Sequence, residues 1–355
     1  MAYTNIDDPS AHFQVETYTG AGANTSVTFS GNSDLKPDFL WLKNRTAGYA
    51  HAAFDSNRNL GSAVNAPFLE PNATSTENSN QNWWNSTNNG INTDGFQFGS
   101  VSEHNLNNLN SEYVAWAWKA NGGTTSSNTD GYLTSTVQAN TTAGFSILTF
   151  TTDGNTRTVG HGLGVKPDVI WIASRNVAGG FLVITDVIDG SMDYGVLRST
   201  NAFASIGYNA PTSTVFEYND NNTNTQVAYC FAQKQGYSKF GSYTGNGNAN
   251  GTFVYTGFKP AFVIVKRSDT AGDSWAIFDN KRSDVVGANV IDKEIAANES
   301  SAEYDRTNAN MDFLSNGFKL RNTDGWHNAS GDTYFYMAFA ENPFVTSTGT
   351  PTTAR

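Results

Sequence analysis

The chain has 355 residues, which is long enough for two or three domains of ordinary size. Hydrophobic residues make up 38% and charged residues only 15%, with 13% aromatics and 33 glycines, a balance typical of strands and turns. The net charge of −11 and the absence of a Lys/Arg cluster argue against nucleic acid as a partner. No apolar run reaches 18 residues and the N-terminus lacks a signal-peptide pattern, so we expect no membrane insertion and synthesis in a cytoplasm.

The first element that returns later in the chain is a Pro-initiated apolar run, KPDFLWLK, at residues 36–43. It recurs as KPDVIWI at 166–172 and as KPAFVIVK at 259–266. Each run has the length of a strand, and because both alternating faces are apolar it predicts a strand covered on both sides. The repetition predicts three copies of one fold.

An acid and a base lie three residues apart after two of these runs, as Asp55 with Arg58 and Asp279 with Arg282. We expect surface ion pairs or turn contacts, and an exposed pair contributes about 0 to 1 kcal/mol. A catalytic carboxylate oriented by Arg is the alternative, but the pattern offers no second carboxylate.

Two adjacent tryptophans, Trp83 and Trp84, lie in a polar, Asn-rich stretch. In an extended chain their side chains point to opposite faces, so one of them can be exposed. We predict a contact with a ligand such as a sugar, or burial at an interface.

Hairpins and closing strands complete each copy. Asp94-Gly95 and Asn316-Gly317 suit type I′ turns, whose two central residues need positive φ. The closing blocks YVAWAW, VAYCF and YFYMAF begin at residues 113, 227 and 334. They align Cys230, the one cysteine, with Ala117 and Ala338, which indicates a small core residue and not a nucleophile.

The fold class predicted is all-β, with three tandem β-sandwich-like domains and a small barrel as the alternative architecture. The predicted domains are repeat 1 at residues 1–120, a shortened repeat 2 at 143–234 and repeat 3 at 237–343. Residues 121–142 are predicted to be a linker and 344–355 a C-terminal tail. Residues 292–302 are the one stretch that could hold a short helix.

No chemical constellation emerges from the chain. Its five histidines lie far apart, no acid pair recurs in the repeats, and the Asn-rich loop at 218–222 lacks the alternation of a calcium loop. We therefore expect no enzyme activity, no catalytic residue, no metal site and no cofactor. Whether any loop binds calcium or sugar stays open.

The chain resembles a family of tandem-repeat, β-rich virion proteins from marine bacteriophages that carry a domain of unknown function, and it is similar to phage tail-fibre proteins. Five segments carry the resemblance. They are the opening Tyr-Thr-Gly-x-Gly, GFKPAFV at 257–263, NGFK at 316–319, YMAFAENP at 336–343 and HGLGVKP at 161–167. The resemblance covers almost the whole chain but assigns no catalytic or binding residue.

The resemblance implies a structural protein of the virion surface, tail fibre or spike in type, with a role in host attachment. The alternatives are a capsid decoration or head-fibre protein, a free-standing carbohydrate-binding module and, from another class, a polysaccharide-degrading tailspike. Expected partners are other virion proteins, further copies of the chain, as a trimer if it is a fibre, and a host surface glycan or protein. The expected location is the virion.

Overall fold

A computed structural model describes residues 3–78, 84, 90–99, 106–283, 289–306 and 310–352 of the chain. In these ranges the chain is nearly all β, and the all-β prediction is confirmed. The helical segments described are the short helix α1 (Gly325–Asn328) and two 3-10 turns, Pro9–Ala11 and Ser56–Arg58. The short helix predicted within residues 292–302 does not form, because residues 293–296 are a strand.

The strands fall into three groups along the chain. The first repeat contains β1 (Phe13–Thr19), β2 (Thr25–Val27), β3 (Phe39–Asn44), β4 (Ala52–Asp55), β5 (Phe68–Leu69), β6 (Phe96–Phe98) and β7 (Glu112–Trp118). The second contains β8 (Ser126–Asn128), β9 (Ser135–Asn140), β10 (Phe145–Thr151), β11 (Arg157–Gly160), β12 (Val169–Ser174), β13 (Leu182–Thr185), β14 (Asp193–Val196), β15 (Ala204–Ser205), β16 (Val215–Tyr218) and β17 (Thr225–Phe231). The third contains β18 (Ser238–Thr244), β19 (Phe253–Tyr255), β20 (Phe258–Arg267), β21 (Ala276–Asp279), β22 (Val290–Ile291), β23 (Lys293–Ala296), β24 (Tyr304–Asp305), β25 (Met311–Leu314), β26 (Gly317–Leu320) and β27 (Thr333–Pro343).

The three repeats have main sheets with the same strand order. The order is β1-β7-β3-β4-β5 in the first, β10-β17-β12-β13-β14-β15 in the second and β18-β27-β20-β21-β23-β24 in the third. Each repeat adds a small second sheet, β2-β6, β11-β16 and β19-β26-β25-β22 respectively. Register matches as well, because Trp118, Phe231 and Phe339 each pair with the first residue of the opening strand.

Residues 121–142, which the composition marks as a linker, hold β8 and β9, and these strands extend the second main sheet beyond β10. Val137 and Gln138 of β9 are both buried. The polar composition of this stretch fits an edge strand as well as a flexible connection, so composition alone cannot separate the two.

Each main sheet buries both of its faces. One face packs against the small sheet of its own repeat and forms a separate core there. The other face joins a single core that all three repeats share. Buried aromatic residues of this shared core are Phe13, Phe39, Trp41, Trp116 and Trp118 from the first repeat, Phe145, Trp171, Phe181, Tyr229 and Phe231 from the second, and Tyr237, Phe240, Phe262, Trp275, Phe335 and Phe339 from the third. Each main sheet therefore depends on the other repeats to cover one of its two faces.

The prediction of type I′ turns at Asp94-Gly95 and Asn316-Gly317 is wrong. Neither Asp94 nor Asn316 has a positive φ, although Gly95 does. A Cβ on Gly95 would lie 2.0 Å from the carbonyl oxygen of Val27, and one on Gly317 would lie 2.1 Å from that of Val254. Glycine is needed at both positions because the neighbouring strand passes too close for a side chain.

Candidate functional site

The repeats meet along three seams, which have equivalent backbone contacts. We call them the first-second, third-first and second-third seams after the repeats that form them. The equivalent backbone hydrogen bonds are Glu77 N–H to Arg175 O (2.9 Å), Glu303 N–H to Arg45 O (2.8 Å) and Phe203 N–H to Ser268 O (2.8 Å). The three contacts follow one another cyclically, so the repeats surround the shared core in a ring.

The first-second seam contains a buried ionic network. Arg58 donates from Nε to Asp55 Oδ2 at 2.6 Å and from Nη1 to Glu77 Oε2 at 3.1 Å. Across the seam, the Tyr229 hydroxyl donates to Asp55 Oδ2 at 2.6 Å and accepts from Arg58. Arg175 donates two hydrogen bonds to Glu77, from Nε to Oε2 and from Nη2 to Oε1, both at 2.8 Å. Paired, hydrogen-bonded carboxylates of this kind fix the seam in one geometry.

The third-first seam repeats this network with one exchange. Arg282 donates to Asp279 Oδ2 at 2.6 Å and to Glu303 Oε2 at 2.9 Å. Across the seam, Arg45 binds both oxygens of Glu303, and the indole N–H of Trp116 donates to Asp279 Oδ2 at 3.0 Å. The indole takes the place of the Tyr hydroxyl in the first-second seam.

The second-third seam carries uncharged residues at the same positions. Thr185 takes the place of the first acid, and Ser268 takes the place of the Arg across the seam. Ile188 and Phe203 take the places of the Arg and the second acid. The Phe203 ring lies 5.5 Å from the ring of Trp275 and 5.4 Å from that of Phe335. Met337 occupies the position of Tyr229. Packing of rings replaces ion pairing here.

Asp55 pairs with Arg58 and Asp279 with Arg282, and Asp55 also accepts the predicted turn bond, from Arg58 N–H at 2.9 Å, but the prediction that these pairs are exposed is wrong. All four side chains are fully buried, because a neighbouring repeat covers each pair. Burial would by itself raise the pKa of Glu77 and of Glu303, but the facing arginines outweigh burial and lower both. In this conformation the carboxylates already hold fixed cationic partners, and Asp55 and Asp279 have no exposed side-chain surface, so we assign the networks a structural role.

A buried acid–base pair lies in the third repeat, between β23 and α1. Glu294 Oε2 lies 3.2 Å from His327 Nε2 and 3.2 Å from Arg306 Nε, and both Glu294 and His327 are fully buried. Burial raises the pKa of Glu294, but His327 and Arg306 lower it by more. The ring of Phe278 packs edge-on against His327. The pair ties the short helix to the main sheet and is closed to solvent.

We also searched the described part of the chain for metal-binding clusters, membrane-spanning helices and a reactive thiol. There, no group of three or more His, Cys, Asp or Glu is placed to hold a metal ion. Nor is any described helix long and apolar enough to cross a membrane. Cys230 is fully buried and burial raises the pKa of its thiol, in keeping with its prediction as a core residue.

The two predicted contact residues differ in what the structure describes. Trp84 is only 2% exposed, stacks on Phe98 and lies edge-on to Phe54. Trp84 lies in the core between the main and small sheets of the first repeat. It does not present the free ring that sugar stacking needs. Trp83 lies outside the described residues.

An exposed aromatic pair occurs instead on β19 of the third repeat. Phe253 is 42% and Tyr255 55% exposed, while Val254 between them faces the core. The hydroxyl of Tyr255 lies 3.2 Å from that of Tyr3, which also donates to Gly257 O. These side chains expose apolar ring surface with a hydroxyl group beside it.

Comparison of the repeats would have found this pair in the sequence. Val27, Val159 and Val254 occupy one position, each paired with an aromatic residue of the partner strand. The positions equivalent to Phe253 are held by Ser26 and Thr158, and those equivalent to Tyr255 by Thr28 and Gly160. Aromatic residues that replace small or polar ones in one copy are not required by the shared scaffold.

The model of the family described as a domain of unknown function (DUF7483) matches residues 8–343. The chain belongs to this family. The DUF7483 match runs from the turn before β1 to the end of β27, so it spans all three repeats and the core they share. No curated protein and no solved structure matches the chain.

Proposed function

We propose that this chain is a structural protein of the bacteriophage virion surface, tail fibre or spike in type, and that it acts in host attachment. Three features support the proposal. They are the resemblance of its repeat segments to virion proteins, the shared core that fixes three repeats in one body, and the exposed pair Phe253 and Tyr255. The proposed role in host attachment rests on the aromatic pair, because exposed aromatic side chains on a rigid strand are favoured anchors in recognition.

The partner at this pair is a host surface glycan or protein. Phe253 and Tyr255 project from a paired strand whose middle residue, Val254, is held in the core, so the backbone positions that carry the two rings are fixed. Binding to them would require little ordering of the protein.

Binding of purified protein to host cells tests this role. The double variant Phe253→Ser, Tyr255→Thr restores the residue types of the other repeats, and we expect it to weaken binding about tenfold or more. Tyr132→Ser is the matched control, because Tyr132 is 66% exposed on the second repeat. Equal loss in both variants, or no loss in the first, would remove the aromatic pair from the proposal.

Quantitative mass spectrometry of purified virions tests the location. A tail fibre or spike protein is present in tens of copies, whereas a capsid decoration or head-fibre protein is present in hundreds. Absence from the virion would favour a free-standing carbohydrate-binding module and contradict the proposal.

A homo-oligomer, a trimer in a fibre, remains part of the proposal, together with contacts to other virion proteins. An aromatic content of 13% would also suit apolar area buried between copies of the chain. The shared core now accommodates much of that content within one chain. Support for oligomerisation therefore rests on the fibre resemblance. Light scattering on the free chain measures its oligomeric state.

A further inference from the structure

The opening strands of the first and second repeats differ at their outer edges. In the second repeat β9 pairs with β10, so that Gln138 faces Ile147 and Asn140 faces Phe145. The equivalent edge of β1 begins its sheet and pairs with no strand in the described part of the chain.

Backbone groups of β1 point toward this open edge. His12 O accepts from Lys119 N, and Gly20 N donates to Ser111 O, which fixes the even-numbered residues of β1 as those bonded to β7. Because bonding alternates along an antiparallel strand, the N–H and C=O groups of Phe13 and Val15 face outward. An unpaired edge of this kind is a template for another strand.

A cleft of about 360 Å³ lies beside the edge, between the first and third repeats. Residues 13–15, 30–32, 280–281 and 340–342 contribute to its walls. Asn280 and Lys281 of the third repeat correspond to Ser56 and Asn57 of the first, since each pair directly follows the buried seam Asp. The cleft therefore occupies the same place in the third-first seam as β9 does in the first-second seam.

The filled seam shows what an occupant of the cleft would contact. Gln138 of β9 donates from Nε2 to Ser56 Oγ and to Asn57 Oδ1, both at 2.6 Å. In the open seam the Oδ1 atom of Asn280 is buried and receives no hydrogen bond from any described residue. A buried acceptor without a donor is unfavourable, and a donor on an incoming strand would satisfy it.

We infer that this cleft accepts an extended strand of a partner protein, which pairs with β1 as β9 pairs with β10. The strand would receive backbone hydrogen bonds from Phe13 and Val15 and direct a Gln or Asn amide at Asn280. Main-chain pairing supplies affinity in this mode of recognition, and alternate side chains supply specificity.

The described parts of the chain offer no segment of their own for this cleft. Strand β9 is already paired, and the residues before β1 run toward the third repeat, where Thr4 Oγ1 donates to Gln235 O and Tyr3 to Gly257 O. The occupant we propose is a separate polypeptide.

A synthetic peptide with the sequence of residues 132–142, YLTSTVQANTT, is the probe for the test. Titrated into the full-length chain, it should bind and slow hydrogen exchange at residues 13–17. The same peptide with Gln138→Ala should bind about fivefold more weakly, as expected for one lost hydrogen bond. Asn32→Trp, in the cleft wall, should abolish binding, whereas Asn222→Trp, on an exposed loop of the second repeat, should not.

Three results would overturn the inference. The first is no slowing of exchange at residues 13–17 at saturating peptide. The second is binding that Asn32→Trp leaves unchanged, including binding that exposes residues 145–151 by displacing β9. The third is concentration-dependent dimerisation of the free chain that Asn32→Trp abolishes, which would make a second copy the occupant and not a partner protein.

Discussion

The first-second and second-third seams join equivalent surfaces with the same backbone contact but with opposite chemistry. Arg58, Asp55 and Glu77 form a buried ionic network in one, and Ile188 and Phe203 pack among apolar side chains in the other. Buried ion pairs often add little net stability over apolar groups of similar size, although breaking one is costly. The comparison indicates that the ionic networks are not needed to hold two repeats together.

What the ionic networks can supply is a choice of neighbour. Three similar sheets could dock in the wrong order around a common core, since each presents an aromatic face. Tyr229 both donates to and accepts from the first-second network, whereas Trp116 can only donate to Asp279. Met337 has no strong hydrogen-bonding group. Each closing strand thus matches one neighbour, and we infer that the seams specify the order of the repeats.

The largest effect is expected from removing one cation of a network. Arg58→Ala leaves Asp55 and Glu77 buried with too few donors, and should lower the free energy of unfolding by about 3 to 5 kcal/mol. Urea denaturation followed by tryptophan fluorescence measures this change. Arg157→Ala, which removes a solvent-exposed pair with Asp153, is the control and should cost far less. Equal losses would show that the buried network is not special.

A smaller effect should follow when the acid is removed together with the base. The double variant Asp279→Thr, Arg282→Ile installs in the third-first seam the residues of the second-third seam. It should be more stable than Arg282→Ile alone by about 1 to 3 kcal/mol, because no buried carboxylate is left at residue 279. A double variant less stable than the single one would contradict the equivalence of the seams.

The charged seams should also respond to pH. Arg282 and Arg45 hold the pKa of Glu303 below its ordinary value of 4.5, despite burial. A depressed pKa stabilises the fold above the ordinary value, and this contribution is lost as the pH falls through the folded-state pKa. Wild type should therefore exceed Glu303→Gln in stability at pH 6, and the difference should shrink as the pH falls below 4.5. A difference that is constant with pH would contradict this assignment.

The smallest effect concerns the apolar seam. Phe203→Leu removes part of a ring from the second-third seam and should cost about 1 kcal/mol, since hydrophobic swaps of similar size are tolerated. Because Phe203 packs against rings and forms no ion pair, this cost should be the same at pH 6 and below pH 4.5. A pH-dependent cost would show that Phe203 packs against a group that titrates in this range.

Much of the fold could be predicted from the sequence, because local patterns carried it. The Pro-initiated runs and the closing aromatic blocks mark the central strands of each main sheet, and their two apolar faces predicted cover on both sides. The apolar pattern of a strand does not show which part of the molecule packs on each of its faces. An inward face that packs on another repeat reads the same as one that packs on its own, so the shared core stayed hidden.

The same gap explains the errors at particular residues. Asp55 and Arg58 look like an exposed pair until the second repeat covers them, and Trp84 looks like a surface residue until β6 stacks on it. Phe253 and Tyr255 could have been found, because alignment of the repeats shows them replacing small or polar residues. The open edge of β1 could not, since its significance depends on β9 filling the matching place.

Differential scanning calorimetry of the intact chain tests the shared core most directly. If half of each main sheet is buried only against the other repeats, no repeat can unfold without exposing the faces of the other two. We predict one transition, with a calorimetric enthalpy equal to the van't Hoff enthalpy. Separate transitions for the individual repeats, or a calorimetric enthalpy near three times the van't Hoff value, would show independent domains and contradict the account.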